Sequence, residues 1–300
     1  MKKLVKLLTT DKQARLYLTD ATEVLRQSGW EEIKTPDAQE LYRTMFTICC
    51  LLRGLLTQEE QRISIHLRFR KKGHSLQCEV DGTGSIHCLF SASLKVFEGR
   101  ITDLVGEGAT LSLTRGSWKG GMFTGTVEAK AGTLEDCFAD FYSQSEQTET
   151  IFLIGEDKET ARGCMIQPLP FASHGRTAEL VHQWTATKER CQAQWESLPA
   201  TVFPDARILE EYSLETHCAC SREMFFGLLL SLETEELQAA LEAGKTEELE
   251  CGICGKAYRF SPEELEMAVS VKERSQYDSI PEDRRGSPDD WANDQDPALL

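Results

Sequence analysis

Two cysteine pairs constrain this chain more than any other feature. Cys218 and Cys220 form C-x-C in HCAC at 217–220, and Cys251 and Cys254 form C-x-x-C in ECGICGKAYRF at 250–260, about thirty residues further on. The module that holds them, 217–270, is about fifty residues long, and so small a module buries too little apolar surface to fold without a staple. Four thiolates in two chelating pairs match one tetrahedral zinc ion. Gly252 and Gly255 let the backbone turn tightly so that its amides point at the sulfurs, as in a zinc knuckle. The reading is therefore one Zn(2+) per chain, held by Cys218, Cys220, Cys251 and Cys254. Such an ion contributes on the order of 10 kcal/mol of folding free energy in comparable peptides. The bland alternative is four unrelated buried cysteines, and it leaves the paired spacing unexplained. His217, beside a ligand, reads as a neighbour rather than a fifth donor, because four sulfurs complete the site.

Eleven cysteines in 300 residues would suggest a disulfide scaffold in a small secreted chain. Here the count is odd and the chain is long. The opening MKKLVKLLTTDKQAR has its apolar run broken by Lys6, with no small-residue cleavage site after it, and reads as a strand. MFTICCLL at 45–52 is too short to span a bilayer. The expectation is a soluble, cytoplasmic protein, whose clustered cysteines serve a metal or a redox switch. The net charge of −16 and pI near 4.9 argue against nonspecific nucleic-acid binding and against an anionic membrane surface. Zinc holds sulfur as thiolate, the form that oxidants attack. Reduced and zinc-bound then means folded; oxidised and zinc-free means unfolded.

The rest of the chain reads as α+β. KLVKLL and QARLYL are strand-like, and TDATEVLRQSGW carries helical spacing. Pro36 opens a helix whose Leu41, Met45, Ile48, Leu52 and Leu55 form one buried face, with Cys49 and Cys50 as core residues. The period then changes to two. RISIHLRF, SLQCEV and SIHCLF make a meander that turns at DGTG, and TLSLT and MFTGTVEA make a second pair around RGSWKGG. TLEDCFADFYSQS is a helix with Leu134, Cys137, Phe138 and Phe141 on one side, followed by strands IFLIGE and RGCMIQPL. Residues 1–172 thus form a core domain of β-meanders packed with helices. Residues 173–216 read as a helical linker. Leu180, Trp184, Cys191, Trp195 and Leu198 lie along one side of its first helix, Pro199 and Pro204 break the chain, and DARILEEYSLE resumes helix. In the zinc-binding module at 217–270, MFFGLLLSLETEELQAALEAG reads as two short helices, and Ser261-Pro262-Glu263-Glu264 is a capped helix start. Residues 271–300 form an acidic tail, with disorder expected from about 275.

The order C-x-C, about thirty residues, C-x-x-C, then YRF and an acidic helix resembles the redox-regulated heat-shock chaperones of the HslO type, the 33 kDa chaperonin family. LSLTRGSWKGGMFTGTV, TLEDCFADFYSQSEQTETIFLIG and MIQPLP resemble that family's core domain, with SEQ at 145–147 the most recognisable triplet. The resemblance covers about residues 1–270. It implies an ATP-independent holdase for unfolding client proteins, inactive when reduced with zinc bound and activated by oxidants. It implies disulfides within each pair, Cys218–Cys220 and Cys251–Cys254, unfolding of the module and the linker, and a monomer that becomes a homodimer on oxidation. Cys191, Cys49 and Cys50 lie outside that switch; Cys191 is expected to form mixed disulfides once the linker opens.

Other classes fit less well. A zinc-stabilised thiol-disulfide oxidoreductase acting on proteins would use CGIC, but such sites sit at a helix start after a strand. A nucleic-acid-binding zinc ribbon wants a basic face, whereas SLETEELQAALEAGKTEELE has seven Glu against one Lys. There is no G-x-S-x-G and no H-E-x-x-H, RGSWKGG lacks the end of a phosphate loop, and the six histidines are scattered singly, so no catalytic residue is assigned. A relative that keeps fold and zinc but binds one specific partner is a third reading.

Overall fold

The structure is a computed structural model that describes residues 4–279 except Trp118, Ala131, 188–196, Ala219 and 252–253. The chain divides into two compact units, Met1–Cys218 and Ala219–Leu300.

The first unit opens with β1 (Leu4–Thr9), β2 (Ala14–Asp20), α1 (Thr22–Arg26) and α2 (Pro36–Leu52). It continues with β3 (Arg62–Arg68), β4 (Ser75–Asp81), β5 (Ile86–Phe90), α3 (Ala92–Lys95), β6 (Thr110–Ser117) and β7 (Gly121–Glu128). It closes with α4 (Leu134–Ser145), β8 (Ile151–Ile154), β9 (Arg162–Pro168), α5 (His174–Thr187), α6 (Leu198–Val202) and β10 (Ala206–Tyr212). Two antiparallel sheets result, one ordered β10-β1-β2-β9-β8 and one ordered β5-β4-β3-β6-β7.

α2 packs against strands of both sheets. The sequence predicts one buried face on this helix, and Leu41, Met45, Ile48 and Leu52 of that face are buried, while Leu55 lies just past the helix end and is half-buried; Tyr42, Phe46, Cys49 and Cys50 on its other sides are buried as well. Beyond its first turns, where Asp37 and Glu40 stay exposed, a helix with a sheet on either side has no wet face to keep polar. Its start follows the sequence: the Thr35 hydroxyl accepts from the Ala38 N–H at 3.4 Å and Pro36 takes the first turn. α4 starts likewise, with Thr133 accepting from the Asp136 N–H at 3.1 Å, and it buries Leu134, Cys137, Phe138 and Phe141 as predicted.

The inner strands β2 and β9 of the first sheet are buried on both faces, which accounts for the apolar runs LYL and CMI. Tyr17 and Met165 face the main core with α2, while Leu16, Leu18, Cys164 and Ile166 face a second apolar cluster. That second cluster is closed by Leu180 and Trp184 from α5, Leu198 and Val202 from α6, and Phe203. α5 and α6 therefore cover the outer face of the sheet. Leu180 and Trp184 stand on α5 where helical spacing placed them, whereas Leu198 joins the cluster from α6, a separate helix; Cys191 and Trp195 lie outside the described residues.

Two local expectations are corrected. DARILEEYSLE is not a helix: residues 206–212 form β10, antiparallel to β1 with Leu4 opposite Tyr212. Its mostly exposed Arg, Glu and Leu residues suit an edge strand, where charges discourage a further strand. Pro199 does not break the chain but occupies the first turn of α6. The last helix reaches Ser279, and residues 280–300 of the expected tail lie outside the described residues.

The second unit contains α7 (Arg222–Leu229), α8 (Thr234–Glu242), β11 (Glu247–Glu250), β12 (Ala257–Phe260) and α9 (Pro262–Ser279). Its apolar interior among the described residues is small: Phe225, Leu229, Leu237, Tyr258, Phe260, Leu265, Ala268 and Val269. At the start of α9 the Glu264 carboxylate accepts from the Ser261 N–H at 2.9 Å, the reach-back half of the expected capping box. The Ser261 hydroxyl instead donates to Glu263. Arg222 donates to both Glu264 oxygens at 2.8 and 2.7 Å and lies 4.7 Å over the Phe260 ring, tying α7 to α9.

Candidate metal centre

β11 and β12 form a two-stranded antiparallel ribbon with Glu250 opposite Ala257. The loop between them carries Cys251 and Cys254. The Cys251 N–H donates to the Lys256 carbonyl at 2.9 Å, and the Gly255 N–H donates back to the Cys251 carbonyl at 2.8 Å. Gly255 has φ +73°, a left-handed conformation that favours glycine. This is the tight turn read from CGICG; Gly252 lies outside the described residues. Cys218 and Cys220 reach the loop from the chain just before α7, whose N-terminus is capped by Ser221 accepting from the Met224 N–H at 3.2 Å.

The Sγ atoms of Cys218, Cys220, Cys251 and Cys254 all lie within 4.8 Å of one another, and those of Cys220 and Cys254 are 3.5 Å apart. Four sulfurs each ~2.3 Å from one ion stand ~3.8 Å from each other, so a small contraction closes a tetrahedron. Cys251 is buried and the other three are half-buried, which leaves the metal a path in and an oxidant a path to the sulfurs. The site can therefore hold a thiophilic metal ion. All four predicted ligands meet, and His217 is not among the clustered groups. CGIC sits in a loop between antiparallel strands rather than at a helix start, unlike the arrangement an oxidoreductase active site uses.

The sequence reading missed Tyr258. Its hydroxyl stands 3.1 Å from the Cys220 sulfur and 3.0 Å from the Cys220 carbonyl oxygen. Its ring stacks on Phe225, centroids 4.6 Å apart, with the Lys256 ammonium 5.1 Å from the ring centre. The hydrogen bond to Cys220, with the other sulfurs nearby, raises the phenol above its ordinary pKa, so it stays a donor to the thiolate. The only signal in the sequence is an aromatic four residues after the last cysteine, which reads equally well as core. Outer-shell hydrogen bonds of this kind are worth about 10–100-fold in metal affinity. Tyr258→Phe keeps the stacking and is expected to weaken zinc by about that factor, measured by competition with a chromophoric chelator; an unchanged affinity would assign the hydroxyl to packing alone.

Three other buried cysteines of the first unit are a different kind. Burial raises the thiol pKa of Cys49, Cys50 and Cys164 well above the ordinary value, so they stay protonated and unreactive.

Known proteins agree with this architecture. The model of the Hsp33 protein family matches residues 2–261. A 33 kDa chaperonin of Clostridium perfringens is 24% identical, the match covering 94% of this chain and 96% of the relative. One of Listeria monocytogenes is 27% identical, covering 88% and 96%. The crystal structure of the 33 kDa chaperonin (heat shock protein 33 homolog) of Thermotoga maritima superposes with a TM-score of 0.77 at 18% identity, covering 91% of this chain and all of that one. With a family model spanning both five-stranded sheets, all four clustered cysteines and the β11–β12 ribbon, this chain belongs to the Hsp33 family.

Proposed function

We propose that this protein is a chaperone of the holdase type, kept inactive by a four-cysteine zinc site and activated by oxidation. The observation that carries the reading is the convergence of Cys218, Cys220, Cys251 and Cys254 within 4.8 Å. Zinc is the metal this donor set favours, one ion per chain. Within each pair, Cys218–Cys220 and Cys251–Cys254, two thiolates yield one disulfide and pass two electrons to the oxidant, a hypohalous acid or a peroxide. A disulfide sulfur is a poor zinc ligand, so a zinc ion held by these four cysteines would be released, and with it the main stabiliser of the second unit.

Client binding needs apolar surface that is covered at rest. The second apolar cluster supplies it: α5 and α6 lie over Val5, Leu7, Leu16, Leu18 and Ile166. In this reading loss of the metal loosens the segment 174–217, the sheet face opens, and unfolding proteins bind there. Oxidised chains with such a face uncovered associate as dimers, and the resting chain is a monomer. The relatives' name of chaperonin supports the chaperone class. Neither an enzymatic turnover nor a nucleic-acid partner enters the mechanism, and no described helix is long and apolar enough to cross a membrane. The cytoplasm, where thiols rest reduced, is the compartment in which such a switch has a resting state.

The test measures metal content and suppression of client aggregation on one sample before and after oxidant. Reduced protein is expected to carry one zinc and to leave aggregation unchanged; hypochlorous acid should release the zinc and turn suppression on. Release of zinc with no suppression of aggregation would refute the chaperone half and leave the metal site standing.

A further inference from the structure

Two more cysteines meet in the first unit, and the metal chemistry uses neither. Cys78 in β4 and Cys88 in β5 are partners in antiparallel register, equidistant from Thr83 at the centre of the turn. The Ser91 N–H donates to the Ser75 carbonyl at 3.0 Å and the Asp81 N–H to the Ser85 carbonyl at 3.1 Å. Those bonds place the odd-numbered positions of β4 in hydrogen-bonded pairs. Position 78 is therefore in the other class, where opposed side chains stand closest. The Cα atoms of Cys78 and Cys88 are 4.1 Å apart and their sulfurs are joined as a disulfide. The pair lies on the core face between Leu76–Phe90 and Val80–Ile86, and β5 is the outer strand of its sheet. Cys78 is 1% exposed and Cys88 7%, so a reagent reaches them through fraying of that edge rather than from an open surface.

The tip of this hairpin holds the chain that leads to Cys218. Ile86 donates its N–H to the Glu215 carbonyl at 2.8 Å, and the Glu215 N–H donates to the Gly84 carbonyl at 2.9 Å. The Ser85 hydroxyl donates to the His217 carbonyl. Arg53 donates to the Gly82 carbonyl and lies 4.1 Å over the ring of Tyr212, at the end of β10. Gly84 has φ +100°, and a Cβ there would stand 2.1 Å from the Ser213 carbonyl oxygen, so the approach requires glycine.

We propose that Cys78 and Cys88 form a second dithiol–disulfide site, chemically separate from the four metal cysteines, whose bond locks the β4–β5 hairpin that holds residues 213–217. With hydrogen peroxide as oxidant, one thiolate attacks a peroxide oxygen and becomes a sulfenic acid, releasing one water. The second thiol displaces the sulfenic oxygen as another water and the S–S bond forms. Two thiols and one peroxide thus give one disulfide and two waters. A dithiol reductant reverses the step by exchange. Direct opposition across two strands makes the pairing intramolecular, and each of the two cysteines has the other as its register partner. The site stands on its own geometry and does not rest on the holdase reading.

The test uses the full-length chain with Cys218, Cys220, Cys251 and Cys254 all changed to serine, beside the zinc-loaded wild type. Each is reduced with dithiothreitol, titrated with hydrogen peroxide, alkylated and mapped by peptide mass spectrometry. A peptide pair linked through Cys78 and Cys88 is expected in both proteins, lost on reduction and regained with peroxide. Alkylation of both residues as separate thiols across a range that oxidises the metal cysteines of the wild type would overturn the site. So would either residue bonded to a different cysteine. In the quadruple variant, the amides of Asp81 and Ser91, whose bonds lie within the hairpin itself, should exchange with deuterium severalfold more slowly in the disulfide form than in the dithiol form. Equal exchange in the two forms would overturn the lock. Because the wild-type map requires no substitution, a variant that fails to fold does not remove the test.

Discussion

Cys251→Ser is expected to unfold the C-terminal unit while the N-terminal unit stays folded. Cys251 is the most buried of the four ligands, and its backbone closes the turn on which Cys254 depends. A serine hydroxyl does not ionise at neutral pH and is a hard donor, so the site is left with three sulfurs. Structural zinc supplies about 10–16 kcal/mol to small modules, far more than a unit with so few buried side chains holds in reserve. The N-terminal unit has two sheets and two apolar clusters and needs no metal for them. Hydrogen exchange resolves the two: amides of 222–272 should lose protection, while those of α2 and β3 keep it. The variant should bind zinc at least about a hundredfold more weakly and suppress client aggregation without oxidant. Retention of one tight zinc with protected α7 and α9 amides would refute the prediction.

Trp184→Ala should uncover the sheet face directly, with the metal site left intact. Trp184 is 5% exposed and closes the second apolar cluster together with Leu180, which is fully buried. Removing a buried tryptophan costs about 3–5 kcal/mol, and Leu180→Ala costs about 2–5 kcal/mol. Part of that loss falls on the docking of α5 rather than on the sheet, whose backbone pairing between β1, β2 and β9 does not involve the helix. Reduced, zinc-loaded Trp184→Ala is therefore expected to suppress aggregation without oxidant. The readout is light scattering of a thermally unfolding client, with zinc measured on the same sample. A variant destabilised by the expected amount, still holding zinc and still silent, would remove α5 as the cover and place client binding elsewhere.

Local sequence features identify most of the elements correctly. The period-two runs RISIHLRF and SLQCEV become strands with Ile63, Ile65, Leu67, Leu76 and Val80 inward. Hydroxyl caps at Thr35, Thr133 and Ser221, which the sequence reading did not single out, start helices because a hydroxyl satisfies an otherwise unpartnered amide in any surroundings. Where the reading failed, the deciding partner was distant. ARILEEY carries Ala, Arg, Leu and two Glu, good helix formers, yet it is a strand because β1 offers a row of backbone groups some two hundred residues upstream, with Lys6 and Glu210 paired at 3.2 Å. α2 reads as a one-faced helix because spacing reports a stripe, whereas burial on its other sides depends on a second sheet.

The sequence alone singled out the four cysteines that meet within 4.8 Å, since the C-x-C and C-x-x-C pairs are a matter of short spacing and thiol chemistry that survives any packing. Only the tertiary structure decided that the Tyr258 hydroxyl supports Cys220, that Cys78 meets Cys88, and that the strand before Cys218 closes the first sheet. Those depend on register and on which edges are left to be paired, and register is fixed by the whole sheet rather than by any one strand.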